Sequence, residues 1–265
     1  MKIAVISAPG KADRRGSVLD EAARLLEARG ASVVTLCPEE SVIDLNEVRV
    51  GHDLYLLKSG TEAGMALAGA LNLAGGRLLN SYPATALMKD KILATRALGA
   101  AGVPLPETYA AAEPAQLAPL LAAGPLIVKP YRGGSQGRGV QLVRSADELA
   151  GLPPVGGLLF AQRYHQPDGR DYKVYAIGGR FFGVRRVWPA RTYEEKLGEA
   201  FEPAAEMAEI AARCGRAFGV DLFGLDIVVS SGRPLVVDIN TFPGFKGVPG
   251  AARLLADYIE GRSEQ

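Results

Sequence analysis

The chain has 265 residues, 48% of them hydrophobic and 22% charged, an ordinary globular balance with room for one large or two to three small folded units. Lys plus Arg total 30 and Asp plus Glu total 29, so bulk charge gives no drive toward nucleic acid or an anionic membrane, and neither is an expected partner. No stretch approaches the length of a membrane span. The apolar start M-K-I-A-V-I-S-A-P-G is cut short by Lys11, Asp13, Arg14 and Arg15, and Cys37 and Cys214 stand far apart without metal spacing, so the expected location is a reducing cytoplasm.

In chain order, residues 2–8 read as a strand, followed by Pro9-Gly10 and a polar loop. Val18, Ala22, Leu25 and Leu26 give 17–29 a helical apolar face, with Gly30 as its stop. Residues 32–37 and 53–58 are two more strands, and 61–74 a second helix. Strand–helix–strand alternation at this spacing predicts a parallel sheet, so residues 1–80 form a small open α/β unit. Asn80-Ser81-Tyr82-Pro83 marks a boundary. One helix is expected over 84–102, closed by Gly102 and Pro104. The strands P-L-I-V-K-P and G-V-Q-L-V then flank a glycine-rich turn. L-L-F-A-Q-R-Y follows, then a hairpin around Gly178-Gly179. A helix over 203–218, strands 222–229 and 233–240 joined at Ser231-Gly232, and a helix over 249–260 complete the chain.

Three places carry polar groups that these elements do not explain. The first is L-V-V-D-I-N-T-F-P-G-F, residues 235–245, a β-branched run interrupted by Asp238 and Asn240. Residues two apart on a strand share a face, so the pair projects together at the strand's C-terminal end. If 222–240 is a hairpin, Asp226 joins them from the neighbouring strand, and two carboxylates with a carboxamide suit a hard divalent cation. Satisfaction of the pair by a nearby loop is the alternative. The second is P-L-I-V-K-P-Y-R-G-G-S-Q-G-R-G-V, where Lys129 ends a strand and Gly133, Gly134, Gly137 and Gly139 follow. Backbone N–H groups in such a run can wrap phosphate oxygens, although a plain hairpin tip reads the same way. The third is Lys91 in M-K-D-K-I-L, which alone would be a solvated helix lysine. His52 and His165 have no evident partners and are expected to carry no chemistry.

Together and in this order, these segments resemble the ATP-grasp superfamily, within it the branch of the ribosomal protein S6 glutamate ligase and similar α-L-glutamate ligases. The resemblance covers residues 80–260. It rests on K-D-K, V-K-P with its glycine loop, F-A-Q-R-Y, G-R-D-Y-K-V-Y-A-I-G-G and V-D-I-N-T-F-P-G-F. It implies an α/β (α+β) chain: an ATP-grasp fold preceded by a small open parallel α/β domain. The units would be residues 1–80, a lid subdomain at 81–162 and a metal-bearing subdomain at 163–265. Lys91 and Lys129 would hold the phosphates of ATP, with Gly133, Gly134, Ser135, Gln136, Gly137 and Gly139 as a phosphate lid. Gln162, Arg163 and Tyr164 would be the hinge beside adenine. Asp226, Asp238 and Asn240 would bind Mg²⁺ (two ions, with Mn²⁺ as a substitute). Lys173 and Arg186 would face the transferred phosphoryl group or the substrate.

The implied activity joins a small-molecule or peptide carboxylate to an amine through an acyl phosphate, in a monomer or a homo-oligomer. Lys58, Arg170, Lys173, Arg185, Arg186 and Arg191 supply cations for acidic substrates. The stretch R-T-Y-E-E-K-L-G-E-A-F-E-P departs from the ligase pattern. Y-K-V-Y-A-I-G-G and D-I-N-T-F-P-G-F-K-G-V are also similar to the inositol-trisphosphate 5/6-kinases. A small-molecule kinase is therefore the alternative, and a non-catalytic nucleotide-binding domain the second.

Overall fold

The computed structural model describes residues 1–10, 16–131, 139–153, 157–187, 192, 195 and 197–263. Three sheets organise them. The first is parallel, in the order β2 (Ser32–Leu36), β1 (Lys2–Ile6), β3 (Leu54–Leu57), β4 (Leu78–Leu79). Helices α1 (Val18–Ala28) and α2 (Glu62–Leu73) make its crossovers. Ser17 and Thr61 start them by accepting from the backbone N–H groups of Asp20 and Gly64.

The helix expected over 84–102 is two helices, α3 (Tyr82–Lys89) and α4 (Lys91–Ala100). Asp90 breaks it. Its backbone is extended (φ −81°, ψ 105°) and its Oδ1 accepts from the N–H groups of Ile92 and Leu93, so a residue in the middle of the apolar pattern acts as an N-cap.

The second sheet is antiparallel, ordered β5 (Thr108–Ala111), β8 (Leu159–Arg163), β6 (Leu126–Pro130), β7 (Gln141–Val143). A 3₁₀ stretch, Pro114–Ala123, and a short helix α5 (Ala146–Ala150) cover one face around Leu117, Leu126 and Leu149. The third sheet is also antiparallel, ordered β11 (Glu199–Phe201), β10 (Arg180–Val187), β9 (Arg170–Ile177), β12 (Leu222–Ser230), β13 (Arg233–Asn240). Gly178-Gly179 and Ser231-Gly232 both have positive φ at their two positions, the backbone that a tight two-residue hairpin demands. Helix α6 (Ala205–Phe218) packs on one face of this sheet, with Ile210, Ala211 and Cys214 against Val174, Ala176 and Phe223.

The other face is shared. Tyr175, Ile177, Val184 and Leu222 form one core with Ile3, Val5 and Leu56 of the first sheet and with Leu255 and Ile259 of the last helix, α7 (Ala251–Ser263). Arg29 on α1 reaches Asp257 and Glu260 on α7 at 2.7 and 2.8 Å. The first 80 residues therefore have a sheet of their own but bury it against the last 25. Helix α7 is tied back by Asp221, which accepts from the Tyr258 hydroxyl and from Arg262.

Ile259 is wholly buried in this shared core. Ile259→Ala should cost about 2–4 kcal/mol in urea unfolding. It should also speed amide exchange in β1 as much as in α7, which a core confined to either sheet would not allow.

Candidate functional site

Register builds the site. In the hairpin β12–β13, Asp226 lies directly opposite Asp238 and Gly224 opposite Asn240, with a bulge between Asp226 and Ile227. On its other side Asp226 lies opposite Lys173 of β9. Strand alternation puts Asp171, Lys173 and Tyr175 on one face of β9, and Arg186 of β10 stands opposite Asp171. Ile239, Leu225 and Val174 point the other way, into the core beneath α6. One face of the sheet thus ends in a strip of charge: Arg186, Asp171, Lys173, Asp226, Asp238 and Asn240.

Like charges opposed across an antiparallel pair repel. Lys173 answers part of this by donating to Oδ1 of Asp226. Burial works to lower the Lys173 pKa, but the adjoining Asp226 outweighs it and holds the ammonium above its ordinary range. Asp238 accepts from its neighbour's N–H, that of Ile239, at 3.1 Å. Protein crowds it on most sides while one side stays open to solvent; the crowding raises its pKa against the pull of Lys129, and Asp226 raises it further.

The second sheet brings the counter-charges. Lys129, near the end of β6, reaches the carbonyl of Val237 at 3.3 Å and lies over the Phe160 ring at 5.1 Å. Lys91, at the start of α4, donates to the carbonyl of Tyr131 at 2.8 Å, and the Tyr131 hydroxyl donates to Asp90. The helix break at Asp90 therefore also fixes Lys91. Lys91, Lys129, Gln162 and Asp238 line one cleft between α4, the second sheet and the β13 edge, with Met88, Leu98 and Phe160 forming an apolar wall. Burial lowers the pKa of both lysines and Asp238 pulls each back up. Cations and carboxylates starved of solvent side by side suit a ligand with an anionic part and a metal ion. Asp226, Asp238 and Asn240 fit a hard cation, with two carboxylates and a carboxamide oxygen, the remaining positions open to ligand or water. Among the described residues no group of three His, Cys, Asp or Glu side chains meets, here or elsewhere, so the donor set at this place is two carboxylates and a carboxamide.

The expected site residues divide. Lys91, Lys129, Gln162 and Asp238 line the cleft; Asp226 and Asn240 neighbour Asp238 on the hairpin without lining it; and Lys173 and Arg186 lie on the adjoining face. Gly133, Gly134, Ser135, Gln136 and Gly137 fall outside the described residues. Gly139 has φ +75°, and a Cβ there would meet Pro130 at 3.1 Å, so the position needs glycine. Arg163 points away from the cleft, with Nη2 donating to Leu120 O at 3.0 Å and Nη1 to Gly124 O. The N–H groups of Arg163 and Tyr164 are already bonded to Glu107 O and Pro125 O, so the segment's backbone donors are engaged.

The cation cluster is corrected. Arg185 pairs with Glu199 through two 2.9 Å bonds and Arg170 approaches the same carboxylate at 3.7 Å, on the face opposite Lys173 and Arg186. Adjacent strand positions cannot share a face, which is why Arg185 and Arg186 part. Lys58 binds backbone carbonyls, and Arg191 lies outside the described residues. Arg186 remains: its Nη2 is 3.5 Å from the Tyr175 hydroxyl, and its buried Nε has no partner among the described residues.

Sequence reading missed Asp171. Burial, with Asp226 adding, pushes its pKa up to about 6 against Lys173 and Arg186. Its position two residues before Lys173 on a strand was the available signal. The folded chain holds this proton to about pH 6 and the unfolded chain loses it near 3.8, so the folded state loses stability as pH rises between them. In metal-free buffer, Asp171→Asn should raise unfolding free energy at pH 8 by on the order of 1–3 kcal/mol and change little at pH 4, as paired denaturation curves would show.

Comparison with known proteins agrees with this geometry. Residues 188–261 match the inositol 1,3,4-trisphosphate 5/6-kinase ATP-grasp domain. The probable alpha-L-glutamate ligase of Stenotrophomonas maltophilia (strain R551-3) is 28% identical over 281 residues, covering 95% of this chain and 94% of that one. Among solved structures, a RimK domain ATP-grasp protein from Sphaerobacter thermophilus DSM 20745 superposes with a TM-score of 0.78 at 18% identity, over 97% of this chain and 99% of that one. D-alanine–D-alanine ligase from Bacillus anthracis, complexed with ATP, gives 0.75 at 21% identity, over 98% and 96%. The chain has the ATP-grasp fold, and along nearly its whole length its sequence is similar to the alpha-L-glutamate ligases.

Proposed function

We propose that the protein is an ATP-dependent ligase joining a carboxylate to an amine, with release of ADP and phosphate. The observation that favours this over a kinase is extent: likeness to a probable glutamate ligase runs through 95% of the chain, whereas likeness to the kinase domain is confined to residues 188–261. ATP sits in the cleft between the second and third sheets, in the units 81–162 and 163–265, its base against Met88, Leu98 and Phe160. Lys91 and Lys129 hold the phosphates, and the glycine run from Gly133 to Gly139 carries the same assignment from its sequence. Asp226, Asp238 and Asn240 hold Mg²⁺, which when bound offsets the charge of the phosphate oxygens.

The chemistry needs positioning and charge rather than a side-chain nucleophile. An oxygen of the substrate carboxylate attacks the γ-phosphorus and the bond to the β-phosphate oxygen breaks, giving an acyl phosphate and ADP. The neutral amine then attacks the acyl carbon, phosphate leaves, and the amine's surplus proton goes to solvent or the departing phosphate. Lys173 and Arg186 face the transferred group; the unsatisfied Nε of Arg186 gives it a donor to spare for the substrate's carboxylate. Cys214 has no part in this, since burial on the sheet-facing side of α6 pushes its thiol up to about 12.

Lys91→Met and Lys129→Met keep stem volume and remove charge. Each should weaken ATP binding by roughly 10-fold or more in calorimetry, the scale of a lost charge-assisted hydrogen bond. Turnover should release one inorganic phosphate per ADP, and hydroxylamine should trap an acyl hydroxamate when the amine is withheld. ADP formed without free phosphate, beside a product one phosphoryl group heavier, would install the kinase instead.

A further inference from the structure

The chain that leaves the strand end carrying Asp238 and Asn240 is not held by its own sheet. The β12–β13 ladder closes with Gly224 opposite Asn240. Beyond that pair two carbonyls remain, Leu222 O at the entry to β12 and Thr241 O at the exit from β13. The carboxamide of Asn80 spans them, its Nδ2 donating to both at 2.6 Å. The reverse amide orientation would set an oxygen against two oxygens, so the chemistry fixes which way the group points. Asn80 is 3% exposed and follows β4 of the first sheet. The next two carbonyls, Phe242 O and Pro243 O, are taken by Lys58 Nζ at 2.6 and 3.0 Å, and the ammonium also lies 5.0 Å from the Phe242 ring centre. Lys58 leaves the C-terminal end of β3, beside β1, where the strand order of the first sheet reverses. Three consecutive carbonyls, 241 to 243, are thus held by two side chains from the first sheet.

We propose that Lys58 and Asn80 are positioning residues for the metal site: they fix the end of β13 so that Asp238 and Asn240 stay in register with Asp226. The inference rests on the magnesium assignment made above. A bulge sits at Asp226 and the strand ends at Asn240, so the donor set occupies the least constrained part of the ladder. Without the clamp, the repulsion between Asp226 and Asp238 would be relieved by the strand end swinging away. With it, the carboxylates wait at a fixed separation for the cation, and the first sheet takes part in catalysis without touching substrate.

The test compares wild type, Lys58→Met, Lys58→Arg and Asp238→Asn by titrating ADP calorimetrically with and without Mg²⁺, and by amide exchange over residues 236–245. Lys58→Met should raise the Mg²⁺ concentration supporting half-maximal ADP binding by roughly 10-fold, the usual effect of losing a group that orients a metal ligand. It should leave metal-free ADP affinity within about 2-fold, since the carbonyls the lysine holds lie past the end of β13 and not in the cleft lined by Lys91 and Lys129, and should speed exchange at Phe242, Gly244 and Phe245. Lys58→Arg, which can still donate to both carbonyls, should restore the metal dependence. A purely structural lysine would lower the melting temperature of Lys58→Met and leave its Mg²⁺ dependence at the wild-type value. That result, with Asp238→Asn abolishing the dependence, overturns the clamp and keeps the metal site. Unchanged dependence in Asp238→Asn overturns the metal assignment, and the clamp with it.

Discussion

Two carboxylates directly opposed on neighbouring strands are the constraint around which the molecule is arranged. No hairpin gains by setting Asp226 against Asp238, and β-branched residues in both places would make a firmer sheet. The arrangement persists because cations flank it, Lys173 from the next strand and Lys91 with Lys129 from across the cleft. Each cation needs its own scaffold: a hairpin turned at Gly178-Gly179, a helix interrupted at Asp90, a strand from a separate sheet. The upward displacement of Asp238 and the downward ones of Lys91 and Lys129 have one physical origin, the crowding of charged groups by protein, whereas Lys173, adjoining Asp226, moves the other way.

The parts of the site that depend on local chain geometry were legible in the sequence. Ser231-Gly232 implied a tight hairpin with Asp226 and Asp238 on neighbouring strands, but counting back from that turn sets Asp226 opposite Val237, and it is the bulge between Asp226 and Ile227, announced by no letter, that brings it opposite Asp238. The lysine and glycine segments were readable only as a set. What resisted reading was tertiary. Asp90 fell inside the one helix expected over 84–102, because nothing in its neighbourhood announces that Tyr131, forty-one residues on, will bind its carboxylate. Asp171 carries no local sign that burial will hold its proton. Arg170 and Arg185 were grouped with Lys173 and Arg186 on charge alone, although strand alternation already separated them. The engaged N–H groups of Arg163 and Tyr164 follow from how β8 meets β5 and β6, which no motif records.

Nor did the sequence disclose how the first 80 residues are used. Asn80-Ser81 is a boundary between sheets, as its turn-forming residues suggested, but not between cores: side chains on both sides of it pack around Tyr175, Phe242 and Phe245. The first sheet thereby shares the core beneath Tyr175, Phe242 and Phe245. Lys58 and Asn80, unremarkable as letters, are among its most consequential residues because of what they touch 142 to 185 positions later.

That shared core has a consequence for the order in which the chain acquires structure. Although α1 supplies Ala22 and Leu26 to the same core, Ile3 and Val5 complete it only with Leu255 and Ile259, far along the chain. Until those residues are made, that face of the parallel sheet is covered in part only. Such a topology favours late, concerted consolidation over stepwise growth. A nascent chain still lacking α7 would therefore present an adhesive apolar strip to the cell, and its yield should depend on whatever shields that strip in the interval.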